Sequence, residues 1–506
     1  MRNWYRHGRP LRVAISTCCL AAFLFFGFDQ GVFSGILQNK DWLDLFDHPD
    51  DTETGILVSC YCLGALGGCV VNFFIGDRFG RRRMMWLAMG LVIVGASLQT
   101  SAYTVPHLVI GRVITGFGTG IDSSTVPMYQ SELCRKEKRG RLVSWEVLFI
   151  GIGISFAYWL DFGMSYAGGP VAWRLPIAVQ LVFAITVITL LFGLPESPRW
   201  LFKKGREEEA IQVLCAVFDL PPTDPYITSE VKNIKHAISI ESGVRSHRAL
   251  FKNDRLKTRR RVLLAYFVLF MNQMVGINLV VYYVPTVLVT NVNMTPRVAQ
   301  IIGGFIQLMF IIGSLGPALA LDRMGRKKTM MYGVFGLGIC MMMVSILLSF
   351  GKKNTSSAAV AFFFVYMIVF GGSINCVPWV YGPEILPLEA RSRGTAISVS
   401  SHWTWNFFVV MITPVLINRL GWKTYLIFMC LSFSFVPIIY FFYPETSNIS
   451  LEDIDRIFMK EGDEESPSEK SSTTAADDNG ERLRTAGPST TVETGEKGNE
   501  KYVEQV

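Results

Sequence analysis

The side chains best able to do chemistry in this chain are ionisable groups and amides standing inside apolar sequence. Asp29 sits in Phe25-Phe26-Gly27-Phe28-Asp29, and Arg112 in Val109-Ile110-Gly111-Arg112-Val113-Ile114. In hydrocarbon such a group costs at least about 2.5–3.5 kcal/mol, which marks it as functional by default. Burial disfavours an ionised carboxyl and a neighbouring cation restores it, so a balanced pair can load and release a proton. Arg112 is the natural partner of Asp29; the alternative is a fixed ion pair with no coupling role. Asp122 and Glu146 are two further embedded acids. Asp122 either lines a cavity or is a polar kink satisfied by its neighbours. Asn272, Gln273 and Asn278 crowd one apolar run, and Tyr282 follows Asn278 by four residues, on the same helical face. Amides supply donors and acceptors without burying charge, as a polyhydroxylated ligand requires. Trp379 offers a ring face with a free N–H. Amides that bridge helices are the competing reading. No nucleophile–base set, metal-ligand cluster or phosphate loop appears, so an enzyme is disfavoured and no cofactor is implied. Ten Cys contain no CxxC, which points to neither zinc nor a dithiol redox site.

These residues must be held by elements suited to lipid. Of 506 residues, 50% are hydrophobic and only 18% charged, with 36 Phe and 45 Gly, where soluble chains carry about 25% charge. A soluble enzyme, a disordered scaffold and a disulfide-stapled module are excluded. Twelve runs approach the 20 or so residues that cross a bilayer: 12–37, 54–76, 84–102, 106–131, 142–163, 174–194, 262–290, 298–321, 329–350, 358–382, 395–418 and 424–443. Runs of this length exclude barrel strands and give an all-α membrane protein. Pro285 in the seventh run, and Pro378, Pro383 and Pro387 around the tenth, are expected to weaken helix ladders.

Basic residues fall in alternate loops, with Arg78, Arg81, Arg82 and Arg83 in one and Arg323, Arg326, Lys327 and Lys328 in another. The first opposite loop is acidic, with Asp41, Asp44, Asp47, Asp50 and Asp51. Both termini are therefore expected in the cytoplasm, and the positive charge reports topology and not nucleic-acid binding. Residues 196–261 form a polar stretch whose 206–218 and 227–240 segments have helical apolar spacing. Residues 459–506, with 12 acids and 6 bases, lack the apolar content to build a core and read as a disordered cytoplasmic tail.

The chain repeats itself. Asp77-Arg78-Phe79-Gly80-Arg81-Arg82 returns as Asp322-Arg323-Met324-Gly325-Arg326-Lys327 after 245 residues. Glu132, seven before Arg139, returns as Glu384, seven before Arg391, and Pro195-Glu196-Ser197 returns as Pro444-Glu445-Thr446. Nearly constant offsets imply two homologous halves of six spans, 1–195 and 262–458, in parallel topology around a 196–261 linker. The paired acids and guanidiniums, with Arg199 beside Glu196, are expected to latch neighbouring cytoplasmic helix ends together when the inner gate is shut. Simple anchoring would explain the Arg residues but not the acids or the Gly.

With these motifs in order, the chain resembles the sugar porters of the major facilitator superfamily, and within them fungal proton-coupled hexose and glycerol transporters. The resemblance covers roughly residues 12–458 and rests on specific segments. These are Gly27-Phe28-Asp29-Gln30-Gly31, the charged loop at 77–82, Pro195-Glu196-Ser197-Pro198-Arg199-Trp200 and Gln273-Met274-Val275-Gly276-Ile277-Asn278 with Tyr282-Tyr283. Pro378-Trp379, Trp403 with Asn406-Phe407, and Pro444-Glu445-Thr446 complete the set. It implies alternating access with a sugar held at the midplane. It implies Asp29 as proton carrier with Arg112 modulating it, and Gln273, Asn278 and Trp379 as leading ligands, with Asn272, Tyr282, Asn406 and His402 beside them. Three positions depart from the family. Asn272 stands where relatives usually carry Gln. His402 replaces an amide and is either a hydroxyl ligand or an interhelix contact. Glu146, beside Val147 where a sugar-binding Gln is usual, is either a substitute ligand or part of the cytoplasmic charge network. The expected activity is proton-coupled symport of a hexose or pentose across the plasma membrane. The alternatives are a polyol or glycerol symporter and, from another class, a non-transporting sugar sensor. The expected partners are the sugar or polyol, protons and membrane lipid.

Overall fold

Long apolar runs without water must satisfy every backbone group internally, and the chain does this with helices alone among its described residues. The structure is a computed structural model that describes residues 5–135, 139–243, 250, 254, 256–387, 390–447, 449 and 451–458. At 139, 240–243, 321–323, 392, 451–453 and 456 it describes only the backbone. The tail expected at 459–506 lies outside the described residues, which all fall within one compact unit.

In chain order the helices are α1 (Arg9–Gly31), α2 (Phe33–Ile36), α3 (Lys40–Leu45), α4 (Asp51–Phe79), α5 (Arg81–Thr100), α6 (Val105–Glu132) and α7 (Arg139–Met164). Then come α8 (Val171–Leu191), α9 (Pro198–Lys203), α10 (Glu207–Phe218), α11 (Pro225–Gly243), α12 (Thr258–Met274), α13 (Ile277–Thr290) and α14 (Pro296–Met324). The last are α15 (Arg326–Ser349), α16 (Lys353–Gly372), α17 (Val377–Ile385), α18 (Arg391–Leu420), α19 (Lys423–Phe442) and α20 (Leu451–Phe458). Ten helical stretches are long and apolar enough to cross a membrane. The other two expected spans, 106–131 and 395–418, are occupied by α6 and α18. Both are long helices, but more polar, carrying Arg112 and Asp122 or His402 and Asn406. The helical spacing at 206–218 and 227–240 corresponds to α10 and α11.

Local chemistry sets the ends. Asp50 and Glu53 form a reciprocal capping box at the start of α4. Thr104 caps α6, and Ser197 caps α9 ahead of Pro198. Gly80, at φ 93°, lets the chain leave α4 and enter α5 in a turn that a side chain would strain.

Helices α4 and α5 pack on α6, and α1 packs on α7 and α8; further along, α12 packs on α18, α15 on α16 and α19, and α14 on α16. The two series meet where α4 lies against α18 and α7 against α14. A Cβ at Gly27 would collide with the Ile150 carbonyl, and one at Gly120 with the Ala65 carbonyl. These small residues let α1 approach α7, and α6 approach α4, backbone to backbone.

The seventh span does not break where Pro285 suggested. Pro285 lies inside an uninterrupted α13, and the break is at Gly276, at φ 95° between α12 and α13. The freed Val275 carbonyl accepts the Tyr366 hydroxyl at 3.0 Å. The tenth span breaks between α16 and α17, and Pro378 then opens α17 in the first turn, where its missing N–H costs nothing.

Candidate functional site

Helices α1, α6 and α8 bring three polar side chains together in a wholly apolar setting. Arg112 Nη1 lies 3.2 Å from Asp29 Oδ1, and Gln180 Nε2 donates to the same oxygen at 2.8 Å. All three residues are fully buried. Arg112 Nη2 donates to the Val58 carbonyl at 3.2 Å. The guanidinium also lies 4.2 Å from the Phe33 ring centre and 4.7 Å from that of Tyr61, a cation–π arrangement that compensates for lost water. The Asp29–Arg112 pairing expected from sequence is therefore made, with Gln180 as a third member that sequence reasoning missed. Gln180 is the one strongly polar residue between Leu175 and Leu191 apart from hydroxyls. That isolation was its only signal.

A second cluster is built on the broken seventh span. Because Gly276 turns the chain, Gln273 at the end of α12 faces Asn278 at the start of α13. Asn278 Nδ2 donates to Gln273 Oε1 at 2.7 Å, and Gln273 Nε2 donates to Asn272 Oδ1 at 2.6 Å. The same Nε2 lies 2.9 Å from His402 Nδ1, and Asn272 Nδ2 donates to the Ile374 carbonyl at 2.6 Å, beside the break in the tenth span. His402 is thus integrated into the amide network from α18. Its ring lies 5.2 Å from half-buried Trp379 and 5.1 Å from Trp403. Asn406 Oδ1 accepts from the Cys62 thiol at 3.3 Å, which ties α18 to α4. The His402 Nε2, Trp403 Nε1 and Asn406 Nδ2 atoms are buried with no protein hydrogen-bond partner. That leaves three polar atoms, among aromatic faces, available to a polar ligand. The Tyr282 hydroxyl makes no hydrogen bond to the amides; the residue packs beside Tyr283 and lies within electrostatic reach of Cys62, Arg112 and Asp29.

The two clusters touch through aromatic rings. Arg112 lies over Tyr61, Tyr61 meets Trp403 edge-on at 5.8 Å, and Trp403 meets His402 edge-on. Phe26, one turn before Asp29, packs on both Trp403 and His402. A change of charge at Asp29 is therefore a few side chains from the amide network.

The repeated loops form matching networks at one end of the helices. In the first, Arg81 bonds Asp77 at 2.9 Å and Glu132 at 3.1 Å, and Glu196 accepts the backbone N–H groups of Arg81 and Arg82. Lys203 of α9 reaches Asp77 at 2.5 Å. In the second, Arg326 bonds Glu384 at 3.1 Å, and Glu445 accepts the N–H groups of Arg326 and Lys327 at 2.7 and 3.0 Å. These ties run within each repeat. Arg391 donates to the Leu386 carbonyl at 3.4 Å, Arg199 is half-buried in α9 and Arg78 is exposed. The side chains of Arg139, Asp322 and Arg323 lie outside the described residues. Glu146 bonds to none of these groups: both its carboxylate oxygens are buried without a hydrogen-bond partner. A further contact escaped the sequence reading. Arg261, at the start of α12, pairs with Asp455 of α20 at 2.6 Å and lies 4.9 Å from the Phe458 ring centre.

Beside the first network a crevice of about 320 Å³ is lined by Asn72, Asp77, Arg81, Ser124, Arg393 and Val399, among others, so it separates α4 and α6 from the start of α18. The opposite ends of the helices are joined. Gln38 donates to Thr286 at 2.9 Å, Asn418 to Asp51 at 2.5 Å, and Tyr158 to the Val281 carbonyl at 2.6 Å.

Comparison with known proteins gives one answer. A family model described as sugar (and other) transporter matches residues 14–458. The chain is 36% identical over 455 residues to the MFS-type transporter oryC of Aspergillus oryzae, covering 88% of this chain and 85% of that one. It is 34% identical over 473 residues to the sugar transporter STL1 of Saccharomyces cerevisiae, covering 90% and 83%. The solved structure of the MFS proton:xylose symporter XylE of E. coli, bound to 6-bromo-6-deoxy-D-glucose, superposes with a TM-score of 0.77 at 24% identity, covering 88% of this chain and 99% of that one. At that identity the likeness speaks for the fold.

Proposed function

Because the chain belongs to the sugar (and other) transporter family, a multi-pass membrane transporter and not an enzyme, we propose that it carries a monosaccharide with protons across the plasma membrane by alternating access. The carrying observation is the buried Asp29–Arg112–Gln180 cluster in ring contact with the amide network of Gln273, Asn278 and His402. Twelve spans in two halves, 1–195 and 262–458, flank a cytoplasmic linker at 196–261, and both termini are cytoplasmic. The arginine-bearing loops and the crevice then face the cytoplasm while the outer ends are joined, an inward-facing arrangement. The matched ion networks brace each half as a rigid body and release the halves from one another on this side.

In the mechanism, Asp29 takes a proton when the outer side is open, and its neutral form lets Arg112 fall back on the Val58 carbonyl and the Tyr61 and Phe33 rings. Sugar hydroxyls exchange bonds with Gln273, Asn278 and Asn272, and its ring face stacks on Trp379, with His402 and Asn406 completing the shell. After the halves rock, Arg112 and Gln180 stabilise the Asp29 carboxylate and the proton leaves inward. Each group acts by hydrogen bonding or charge, and no cofactor enters. A polyol symporter follows the same steps; His402, an imidazole where an amide is usual, is the feature that favours a ligand other than an ordinary hexose. The test is uptake of labelled glucose, xylose, galactose and glycerol in a transporter-null yeast, with and without a protonophore. Protonophore-sensitive accumulation of one of them supports symport. Indifference to the protonophore indicates facilitated diffusion, and no uptake despite surface expression indicates a sensor.

A further inference from the structure

Two acids in the first half take no part in the mechanism above. Asp122 of α6 is 1% exposed and Glu146 of α7 is fully buried, and all four of their carboxylate oxygens lack a hydrogen-bond partner. Other buried acids here are held: Asp29 by Arg112 and Gln180, and Asp161 by the Gly35 N–H at 3.2 Å. Asp122 and Glu146 are also within electrostatic reach of each other. Two carboxylates without a partner do not both stay ionised in hydrocarbon, because each loses its hydration and gains no counter-charge in return.

Among the described residues, no cation bonds to either acid. From α1, Cys18 and Cys19 are within electrostatic reach of the acids, and Tyr129 of α6 and Cys134 are within reach of those thiols. From α4, Cys69 bonds the Gly120 carbonyl, and Cys376, just before α17, bonds Ser144, two residues before Glu146. Three cations at the ends of neighbouring helices are engaged elsewhere: Arg81 of α5 with Asp77 and Glu132, Arg174 of α8 over Trp173 and Tyr103, and Arg297 of α14 over Tyr166. Asp122 is ten residues along α6 from Arg112, about 15 Å toward the cytoplasmic end. Ser124 and Thr125, immediately after it, line the crevice.

We propose that Asp122 and Glu146 form a second proton-binding site, occupied while Asp29 is ionised and placed between Asp29 and the cytoplasmic crevice. The site binds protons as neutral carboxylic acids. Its use as a stage on the proton's route inward rests on the symport reading, whereas its existence does not.

The test is infrared difference spectroscopy of the purified full-length protein in lipid at neutral pH, without substrate, following the carboxylic-acid C=O stretch. The wild type and D29N should both show the band. D122N and E146Q should each lose part of it, and the double variant should lose the contribution of both. D122E and E146D, which keep the acid, should shift the band without removing it, so a folding defect in the amide variants leaves the assignment testable. A band unchanged in D122N and E146Q overturns the proposal. So does a band abolished by sodium or potassium in the wild type, which would make the pair an alkali-cation site. Because no transport is measured, this outcome is separate from failure of the symport reading, which D29N uptake decides.

Discussion

The two repeats agree at the ends that carry the charged loops and differ in their interiors. At the ends, Gly80 and Gly325 make the same positive-φ turn, Glu196 and Glu445 accept the N–H groups that follow, and Arg81 and Arg326 hold Glu132 and Glu384. Inside, the first half buries ionisable groups, in Asp29, Arg112, Asp122 and Glu146. The second buries amides and aromatic rings, in Asn272, Gln273, Asn278, His402 and Trp403. On the proposed transport cycle, a duplicated framework keeps its geometry where both copies move as rigid bodies and diverges where one copy handles a proton and the other handles hydroxyls. Burying a lone charge demands a partner of opposite sign, whereas buried amides satisfy one another and exchange bonds with a ligand.

The sharpest way to break this division is D29N. It should abolish accumulation against a gradient while leaving equilibration down the gradient; retained pH-driven accumulation would refute a proton role for the first half. Next in size is Q273A, which strands Asn278 Nδ2, Asn272 Oδ1 and His402 Nδ1. It also removes the sugar contact proposed for Gln273; at about 1–3 kcal/mol for one lost partner, KM should rise by about 5- to 150-fold, checked by concentration-dependent uptake with the protonophore response intact. G80A probes the shared framework. A Cβ there would meet the Glu196 carboxylate at 2.7 Å, on a backbone that L-residues avoid. A loss of about 1–3 kcal/mol should appear as a lower Tm of the purified protein. G325A should lose less, because its Cβ would stand 3.1 Å from Glu445; a larger loss would deny that the two turns do the same work. The smallest effect is expected from H402N, which keeps a polar partner for Gln273. Discrimination between sugars should change by less than about 1.5 kcal/mol, read as a ratio of kcat/KM values.

Much of this was legible in the sequence because lipid leaves few choices. Apolar length gave the helices, an isolated Asp and Arg found one another, and the matched loops gave the internal repeat. Gln180 was hidden because one amide in an apolar span looks the same whether it bridges helices or holds a carboxylate. The break at Gly276 was hidden behind Pro285: a proline's lost N–H can be absorbed inside a helix, while only the fold reveals that a glycine has taken positive φ. Glu146 offered two readings, ligand or member of the ion network, and the network proved to be built without it. The Arg261–Asp455 pair joins residues 194 positions apart, and nothing local announces it.

The most direct measurement records sugar uptake and external pH together in de-energised cells expressing wild type, D29N or Q273A. Sugar added to the wild type should alkalinise the medium in proportion to uptake. D29N should take up sugar without the pH change, and Q273A should need more sugar to produce it. Wild-type uptake with no movement of protons, or alkalinisation that persists in D29N, would contradict the assignment of proton to one half and sugar to the other.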